Sequence, residues 1–514
     1  MELQALSDEL LAERTLILCS NRGPVEFTAA GAGQWEAVRG SGGLVTAMSA
    51  ASRLATPVWI AAAMGEGDRA RAAAAGGALI DYDADTRYQL RFVVPPDEDY
   101  NQYYNTIANP LLWFLQHLMW DAPRTPNITP EIWDAWRAYE RVNQLFADAI
   151  IQEVERAPHP PIIMLQDYHL YLVAQQLRGR VPKQALLTLF LHIPWPGSDY
   201  LALLPQAMRE AILRSCCALD VIGFHTRRFQ RNFLNSCRAY LPDADIGYDD
   251  DTVTLHGHTV HARVYPISID VAALQLQAET STTVRDHRYR LRGRAGDQTI
   301  VRVDRIEPSK NIVRGFQAFD LLLKQHPEHH GRVKFLAFMV PSRLGVEEYG
   351  RYLEEIMVTV GWINTRYGTG DWQPVELFVG EDYGRAIAAM QLYDVLLVNP
   401  ISDGMNLVAK EGPAVNSVGG VLILSEGAGA VEQLGAASLV VSPTDIVGTA
   451  DALHEALTMP LGERYRRANT LKQQVADEDI AKWLCHQFED IRDLLAAEPK
   501  RRAKRSRSEP AEAQ

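Results

Sequence analysis

The sequence has little of what marks a secreted, zinc-stabilised or membrane protein. Its 514 residues include only five cysteines, and none of them forms a CxxC pair. An odd number of cysteines in a chain of this length predicts reduced thiols in a cytoplasmic protein, not a disulfide framework or a zinc site. No apolar run approaches the roughly 20 residues that a helix needs to cross a bilayer, and the acidic N-terminus lacks the basic start of a signal peptide. The sequence therefore predicts a soluble, cytoplasmic protein with no membrane partner.

Positive charge is also scarce, because the formal net charge at pH 7 is −13. Nucleic-acid binding needs a broad basic face, so no nucleic-acid partner is expected. The one strongly basic stretch, PKRRAKRSRSEPAEAQ at 499–514, has almost no apolar residues. This composition predicts a disordered tail, which we place at 496–514. The role of the tail and the oligomeric state stay open, and a homo-oligomer is compatible with the sequence.

The remaining composition is that of a large globular protein, with 47% hydrophobic and 22% charged residues. Short aliphatic runs alternate with longer amphipathic stretches in two series. The first series of predicted strands is RTLILCS (14–20), TPVWIAAAM (56–64), PIIMLQ (161–166), ALLTLFLHIP (185–194) and DVIGFHT (220–226). The second is TIVRVDR (299–305), RVKFLAFMVP (332–341), VELFVG (375–380), DVLLVNP (394–400), GGVLILS (419–425) and SLVVSP (438–443).

This strand–helix alternation predicts parallel sheets covered by helices on both faces. One intervening helix, at 129–156, begins with Thr129 as its N-cap and Pro130 at its first position. We therefore expect an α/β fold of two Rossmann-like, doubly wound domains facing a cleft. The predicted domains are 1–267 and 268–479, with a C-terminal helix at about 480–495 that packs back on the first domain.

In sheets of this kind ligands bind beyond the carboxyl ends of the strands. In the first half, Asp167 and His169 follow one predicted strand, and His192 follows another. The stretch RGSGGLVTAMSAAS (39–52) adds glycines that let backbone amides approach a ligand. A lone strand-end histidine or a lone GSGG turn is more simply structural, but their coincidence favours a ligand site.

The second half places cations and a further acid at its strand ends. Arg305 and Lys310 lie across a turn that Pro308 forces, and two cations held there suit a diphosphate. In PISDGMNLVAKEGP (400–413), Asp403 follows a strand, and the amides from Met405 onward are predicted to form the first turn of a helix that can hold phosphate. Glu411, about two helical turns on, can bind paired ribose hydroxyls.

The motif DGMNLVAKE, with the R-x4-K pair upstream, resembles the retaining glycosyltransferases of the trehalose-6-phosphate synthase family, which have the GT-B fold. The resemblance covers roughly residues 14 to 490 and includes SNRGP, GSGGL, YYNTIANPLLWFLQH, DYHL, FLHIPWP and VDRIEPSKN. The VDRIEPSKN and WIAAAMGEGDR forms are most similar to the actinobacterial branch. The resemblance implies transfer of glucose from a nucleotide diphosphate donor (GDP-, UDP- or ADP-glucose) to glucose 6-phosphate, with no cofactor and no metal.

Roles for individual residues follow from the same resemblance. It implies that the acceptor sugar phosphate is bound by Arg22, Tyr104, Trp113, Asp167 and Arg343. It implies that His192 contacts the donor hexose, that Asp403 holds its hydroxyls, and that Arg305 and Lys310 neutralise the leaving diphosphate. The remaining donor contacts are Gly42 and Gly43 at the phosphates, amides at Asn406, Leu407 and Val408, and Glu411 at the ribose. Asp167, His192, Arg305 and Lys310 are the predicted catalytic set.

One departure from the family leaves alternatives open. Many members carry a glycine–tryptophan pair after the second strand, whereas this chain reads VWIAAAMGEGD. A pseudo-glycosyltransferase acting on a cyclitol or different polyol phosphate therefore remains an alternative, although that group typically departs at DGMNLVAKE, which is intact here. A non-catalytic regulatory homologue is a further alternative, disfavoured because every charged position that the chemistry needs is present. The acidic stretches DYDAD (81–85) and DAD (243–245) resemble the metal motif of GT-A enzymes, but turns or solvated loops are the simpler interpretation. A hydrolase is disfavoured because no G-x-S-x-G serine accompanies the strand-end acid and histidines.

Overall fold

The structure is a computed structural model that describes residues 2–31, 34–39, 57–81, 88–342 and 347–508. Its described strands are β1 Thr15–Ser20, β2 Val25–Ala29, β3 Trp35–Arg39, β4 Val58–Ala62, β5 Gln89–Val93, β6 Pro161–Gln166, β7 Leu186–Phe190, β8 Val221–Phe224, β9 Ala244–Gly247, β10 Thr252–Leu255, β11 His258–Val264, β12 Gln298–Arg305, β13 Val333–Val340, β14 Val375–Val379, β15 Val395–Val398, β16 Val421–Ser425 and β17 Leu439–Val441. Each of the eleven strands predicted from the sequence is present.

Helices connect most of these strands. The described α-helices are Glu2–Leu11, Glu66–Ala75, Asp97–Gln102, Phe114–Gln116, Pro130–Arg156, Val173–Leu177, Ser198–Leu201, Gln206–Cys216, Arg227–Tyr240, Val271–Thr280, Thr282–Arg292, Ile312–Gln325, Glu347–Tyr367, Tyr383–Met390, Val408–Val415, Val431–Leu434, Ile446–Thr458, Leu461–Asp477 and Ile480–Ser508. A π-helix spans Tyr103–Trp113, and short 3₁₀ turns span Tyr168–Leu170, Pro308–Lys310, Pro327–His329 and Gly435–Ala437. The helix predicted at 129–156 is confirmed, with Thr129 in an extended conformation just before it.

The strands form two large sheets, as an α/β fold of two doubly wound units requires. The first has the order β5-β4-β1-β6-β7-β8-β11-β10-β9, and the second has the order β14-β13-β12-β15-β16-β17. The second sheet is parallel throughout. Every residue of β15 and β16 is buried, which is why these strands are continuous apolar runs in the sequence.

The first sheet is parallel from β5 to β11 but antiparallel at one edge, which the strand–helix pattern did not predict. Strand β10 pairs antiparallel with β11 on one side and with β9 on the other. His256 and Gly257 join β10 to β11, and both have positive φ, 50° and 79°. Two such residues form the tight turn whose twist suits a hairpin. The short connection thus replaces the helix that a parallel crossover would need.

The C-terminal helix Ile480–Ser508 contacts the first sheet and the segment that follows its strand β11. The amide of Ile480 donates to the carbonyl of Ile269 at 3.1 Å, and the hydroxyl of Tyr265 donates to Asp490 at 2.5 Å. Trp483 packs edge-on against Phe190 of β7 with a centroid distance of 5.1 Å. A single apolar cluster therefore includes residues of both sheets and of this helix.

The structure continues this helix through Ser508, whereas the sequence predicts a disordered tail from residue 496. Alanine, lysine and arginine, which dominate this stretch, are good helix formers. Within the described residues, no helix is both long and apolar enough to cross a membrane.

Candidate active site

The carboxyl ends of the two sheets meet where the loop after β15 touches the loop after β7. A Cβ atom built on Gly404 would lie only 2.1 Å from the carbonyl oxygen of His192. Glycine is therefore required at this position, since any side chain would collide with the other half of the protein. The contact brings the predicted donor acid Asp403 and the strand-end histidine into one cleft.

A second contact between the two halves lies beside the first. The Glu432 carboxylate accepts the backbone N–H groups of Arg227 at 2.9 Å and of Arg228 at 3.2 Å. These amides open the helix Arg227–Tyr240, so the carboxylate from one half caps the positive end of a helix from the other.

Lys310 and Asp403, 93 residues apart in sequence, form an ion pair in the cleft. Lys310 Nζ lies 2.5 Å from Asp403 Oδ2, and the two side chains are only 12% and 13% exposed. Burial would raise the pKa of Asp403, but the charge and hydrogen bond of Lys310, with smaller contributions from His117 and Arg305, lower that pKa below its ordinary value. The acid is therefore ionised at neutral pH.

Asn406 completes this cluster. Its Nδ2 donates to Asp403 Oδ2 at 3.1 Å, and its backbone has φ of 68°. The buried Oδ1 atom has no hydrogen-bond partner among the described residues. The left-handed backbone also delays the helix, which begins at Val408 and not near Met405 as the sequence predicts. Leu407 precedes the helix as its N-cap, so the amides of Leu407 and Val408 lie at its positive end.

Arg305 is the last residue of β12 and contacts the first half of the chain. Its Nη1 lies 2.9 Å from Oε1 of the fully buried Glu307, and its side chain is 45% exposed. Its guanidinium also lies over the Trp113 ring, 5.6 Å from the centroid. A predicted leaving-group cation and a predicted acceptor residue are thus in contact.

Trp113 lies at the end of the π-helix and stacks on His117 with a centroid distance of 4.0 Å. Nδ1 of His117 lies 2.9 Å from the carbonyl of Trp113. Burial lowers the pKa of His117 to about 4, against the opposing influence of Asp403, so this ring is neutral at pH 7. His117 is not among the residues predicted from the sequence, because it follows no predicted strand and only ends the stretch YYNTIANPLLWFLQH.

Asp167 and His192 are adjacent, as the sequence predicts for residues at neighbouring strand ends. The amide of His192 donates to Asp167 Oδ1 at 3.2 Å. Asp167 has φ of 72°, and its own amide donates to the carbonyl of Phe190. His192 Nε2 lies 3.0 Å from the amide oxygen of Gln166. Burial, with a smaller effect of His225, holds the pKa of His192 well below its ordinary value, so the ring is neutral.

The predicted acceptor residues Arg22 and Tyr104 both lie near Tyr100. The ring of Tyr104 lies between Tyr100 at 5.7 Å and His169 at 5.8 Å, nearly parallel to both. Burial raises the pKa of Tyr100, and the charge of Arg22 acts on it in the opposite direction. Arg22 therefore lies within electrostatic reach of this aromatic stack.

Glu411 lies in the first turn of the helix Val408–Val415. Its Oε1 accepts the hydroxyl of Tyr383 at 3.1 Å. Burial raises the pKa of Glu411 above its ordinary value, and the bond from Tyr383 opposes that rise. The neighbouring residue Lys410 is only 1% exposed, and its Nζ donates to the carbonyl of Ile267 at 2.7 Å. Lys410 is not among the site residues predicted from the sequence.

Three predicted site residues, Gly42, Gly43 and Arg343, lie outside the described residues, as does most of DYDAD (82–85). Ser342, the neighbour of Arg343, donates to Glu307 Oε1 at 3.2 Å. The described residues of the predicted site lie at the facing strand ends and in the segments that follow them. They form charged pairs, neutral histidines and an aromatic stack in one cleft, an arrangement suited to a sugar and a charged leaving group.

Comparison with known proteins agrees with the family resemblance found in the sequence. The family model for glycosyltransferase family 20 matches residues 14–493. The UDP-forming α,α-trehalose-phosphate synthase of Schizosaccharomyces pombe is 33% identical over 484 residues, which is 91% of this chain and 88% of that protein. A longer relative, a probable UDP-forming α,α-trehalose-phosphate synthase of Arabidopsis thaliana, is 33% identical, and the match covers 48% of its length.

Solved structures match over nearly the whole chain. The α,α-trehalose-phosphate synthase (UDP-forming) of Burkholderia xenovorans, in complex with glucose-6-phosphate, has a TM-score of 0.77 and 27% identity and covers 93% of this chain and 100% of its own. A trehalose-6-phosphate structure from E. coli bound with UDP-2-fluoro glucose has a TM-score of 0.78 and 29% identity, covering 94% and 98%.

Proposed function

This chain belongs to glycosyltransferase family 20, and on that basis we propose that it transfers glucose from UDP-glucose to glucose 6-phosphate with retention, giving α,α-trehalose 6-phosphate. The observation that carries the proposal is the meeting of two strand-end sets in one cleft. Asp167 and His192 come from the first sheet, whereas Lys310 and Asp403 follow strands of the second. The names of the relatives favour UDP among the nucleotides that the sequence left open.

For the donor, we assign Arg305 and Lys310 to the diphosphate. Both cations are fixed before any ligand arrives, Lys310 by Asp403 and Arg305 by Glu307 and Trp113. A diphosphate next to Lys310 shares the ammonium with Asp403, whose second oxygen remains available for sugar hydroxyls. The buried Oδ1 of Asn406 supports this assignment, because it offers an acceptor to the same sugar.

The nucleoside end of the donor is assigned to the following helix. The amides of Leu407 and Val408 lie at its positive end and suit a phosphate. Tyr383 orients Glu411, which we assign to the ribose hydroxyls. Gly42 and Gly43 are proposed to line the donor phosphates, as the resemblance implies.

For the acceptor, we assign Arg22 and Arg343 to the phosphate, and Tyr104, Trp113 and Asp167 to the sugar. Arginine pairs bidentately with phosphate, so two guanidiniums favour a phosphorylated acceptor over a neutral sugar. The stretch VWIAAAMGEGD carries alanine or methionine where many relatives have an acceptor-contacting tryptophan. The hexose ring is therefore expected to be held with fewer contacts than in the relatives that carry this tryptophan.

The proposed mechanism relies on positioning and charge stabilisation. His192 and His117 are neutral at pH 7, because burial lowers both pKa values, so neither is a strong proton donor. We propose that the departing diphosphate takes the proton of the attacking hydroxyl on the same face of the sugar, which retains the configuration. Arg305 and Lys310 then stabilise the charge that grows on the leaving group. With these cations in place, we propose that no metal ion is required.

A substrate screen with product identification tests the proposal. The purified chain is incubated with UDP-, GDP- or ADP-glucose and with glucose 6-phosphate, glucose or a cyclitol phosphate. We expect UDP release with glucose 6-phosphate and an α,α-linkage by NMR. Faster turnover with a cyclitol phosphate would replace the trehalose assignment by the pseudo-glycosyltransferase alternative. Absence of turnover with every pair would favour a regulatory homologue.

A further inference from the structure

A group of histidines and one glutamate lies outside the cleft, where the helix Ile312–Gln325 ends beside the helix Ile446–Thr458. His326 and Glu328 follow the first helix in the stretch HPEHH, and His454 belongs to the second helix. One ligand atom from each of these three residues lies within 4.8 Å of the others. His326 Nδ1 is 3.1 Å from Glu328 Oε1. Tertiary structure alone joins them, since 126 residues separate Glu328 from His454.

We propose that His326, Glu328 and His454 form a binding site for a divalent transition-metal ion. Two imidazole nitrogens and one carboxylate oxygen are a donor set that suits Zn²⁺, Co²⁺ or Ni²⁺ and not the harder Mg²⁺ or Ca²⁺. Three protein ligands leave a position for water. The site is independent of the proposed transferase activity and plays no part in it.

His329 supports the orientation of one ligand. Its Nε2 lies 3.1 Å from Nδ1 of His454, and His329 is only 5% exposed. A histidine that ligates a metal is commonly oriented by a partner at its other ring nitrogen. His329 supplies that partner and leaves the second nitrogen of His454 for the ion.

Binding requires a modest rearrangement. Zinc bonds of about 2.0–2.2 Å in a tetrahedron place ligand atoms about 3.3–3.6 Å apart, whereas the atoms of this group are known to lie within 4.8 Å of one another. The rings of His326 and His454 are stacked at 3.6 Å, and one ring must turn to direct its nitrogen at the same point. The side chains of His326 and Glu328 are 28% and 57% exposed, which gives them room to move.

A metal ion at this site would bridge two helices. The helix Ile312–Gln325 has 14 residues, so its end lies about 21 Å from its start beside Lys310. An ion there fastens the helix end to the helix Ile446–Thr458 and stabilises the folded state without touching the cleft. The nearby cation Arg332 pairs with Asp297 at 3.2 Å, which weakens its repulsion of an incoming ion.

The experiment uses the full chain, stripped with EDTA and dialysed, and titrated with Zn²⁺ by calorimetry and with Co²⁺ by visible absorption. We expect one equivalent of either metal, a Co²⁺ spectrum typical of four-coordinate sites, and a rise in Tm with added Zn²⁺. His454→Ala and Glu328→Gln should each weaken binding at least tenfold and abolish the rise in Tm. Glu328 is exposed, so Glu328→Gln tests the site without risk to the fold.

His256→Ala is the matched control, because His256 is 73% exposed and lies 3.4 Å from Asp243. It should bind metal like the unmodified chain. Stoichiometry well below one, or equal affinity in the unmodified chain and in both His454→Ala and Glu328→Gln, would overturn the proposal. Transferase turnover serves as a separate measurement and should stay within about twofold in Glu328→Gln.

Discussion

Replacing Lys310 with alanine tests the proposed stabilisation of the leaving group. Lys310 Nζ lies 2.5 Å from Asp403, and its side chain is 12% exposed, so its charge acts in a largely desolvated cleft. Removing one preorganised group that stabilises developing charge typically lowers kcat by about 10²–10³. We expect a loss of that size for Lys310→Ala. The KM for UDP-glucose should change less, because the charge on the diphosphate grows in the transition state.

The same substitution leaves Asp403 as a nearly buried carboxylate without its cation. Removing one partner of a buried ion pair destabilises a protein by up to about 3–5 kcal/mol. Asn406 still donates to Asp403 at 3.1 Å, so we expect a cost below that range. The double variant Lys310→Ala/Asp403→Asn removes the unpaired charge. Its Tm should return toward that of the unmodified protein, while kcat stays low.

The assay measures UDP release at saturating substrates, together with Tm for each variant. Lys183→Ala is the control, because Lys183 is exposed and has no place in the proposed site; it should match the unmodified protein in both measurements. A folded Lys310→Ala variant with kcat within about threefold of the unmodified value would refute the assignment.

Three further predictions concern metal dependence, the acceptor phosphate and the buried Lys410. EDTA should leave turnover unchanged, and a rate restored only by Mg²⁺ or Mn²⁺ would contradict catalysis by fixed cations. Arg22→Ala should reduce the ratio of kcat/KM for glucose 6-phosphate to kcat/KM for glucose by about 10- to 100-fold, since charge-assisted hydrogen bonds contribute about 1.5–3 kcal/mol each. An unchanged ratio would exclude Arg22 from the phosphate site. Burial lowers the pKa of Lys410 from 10.5 to about 7, so between these values the unfolded chain holds a proton that the folded chain lacks. Above pH 7, the unfolding free energy of the unmodified chain should therefore rise relative to that of Lys410→Met, by up to about 1.4 kcal/mol per pH unit. Below pH 7 the difference should not change with pH. If urea denaturation from pH 6 to 9 gave the same pH dependence for both proteins, the prediction would be wrong.

Much of the fold and several site residues can be predicted from sequence because a fully buried strand appears as a continuous apolar run. The strands β6, β7, β15 and β16 are buried at every position, and their apolar runs are visible without any tertiary information. The first polar residues after such runs lie at the carboxyl edge of a parallel sheet. Asp167, the first residue after β6, is recognisable for that reason, and Asp403 follows β15 within five residues, after Asn399 and Ser402.

Pairs that depend on the arrangement of distant elements are not visible in this way. The contact of Arg305 with Trp113 and the group around His454 join residues that are far apart in sequence. The positive φ of Asn406, which moves the helix start to Val408, also has no clear signal, since asparagine is equally common in ordinary turns. The hairpin edge of the first sheet was missed because the sequence analysis assigned no strands between 226 and 299.

The position of the Lys310 charge in the proposed site depends on a fully buried residue outside the cleft. Arg302 is fully buried; its guanidinium donates to Asp304 at 2.7 Å and to the carbonyl of Lys310 at 2.6 Å. That carbonyl precedes Asn311, whose left-handed backbone (φ of 58°) ends the 3₁₀ turn. A buried carbonyl without a donor is costly, so Arg302 stabilises the one turn geometry that directs the Lys310 side chain at Asp403. Electrostatic catalysis requires charges that need no reorganisation during the reaction. The internal ion pair therefore explains how a flexible lysine on a loop can serve as a fixed cation.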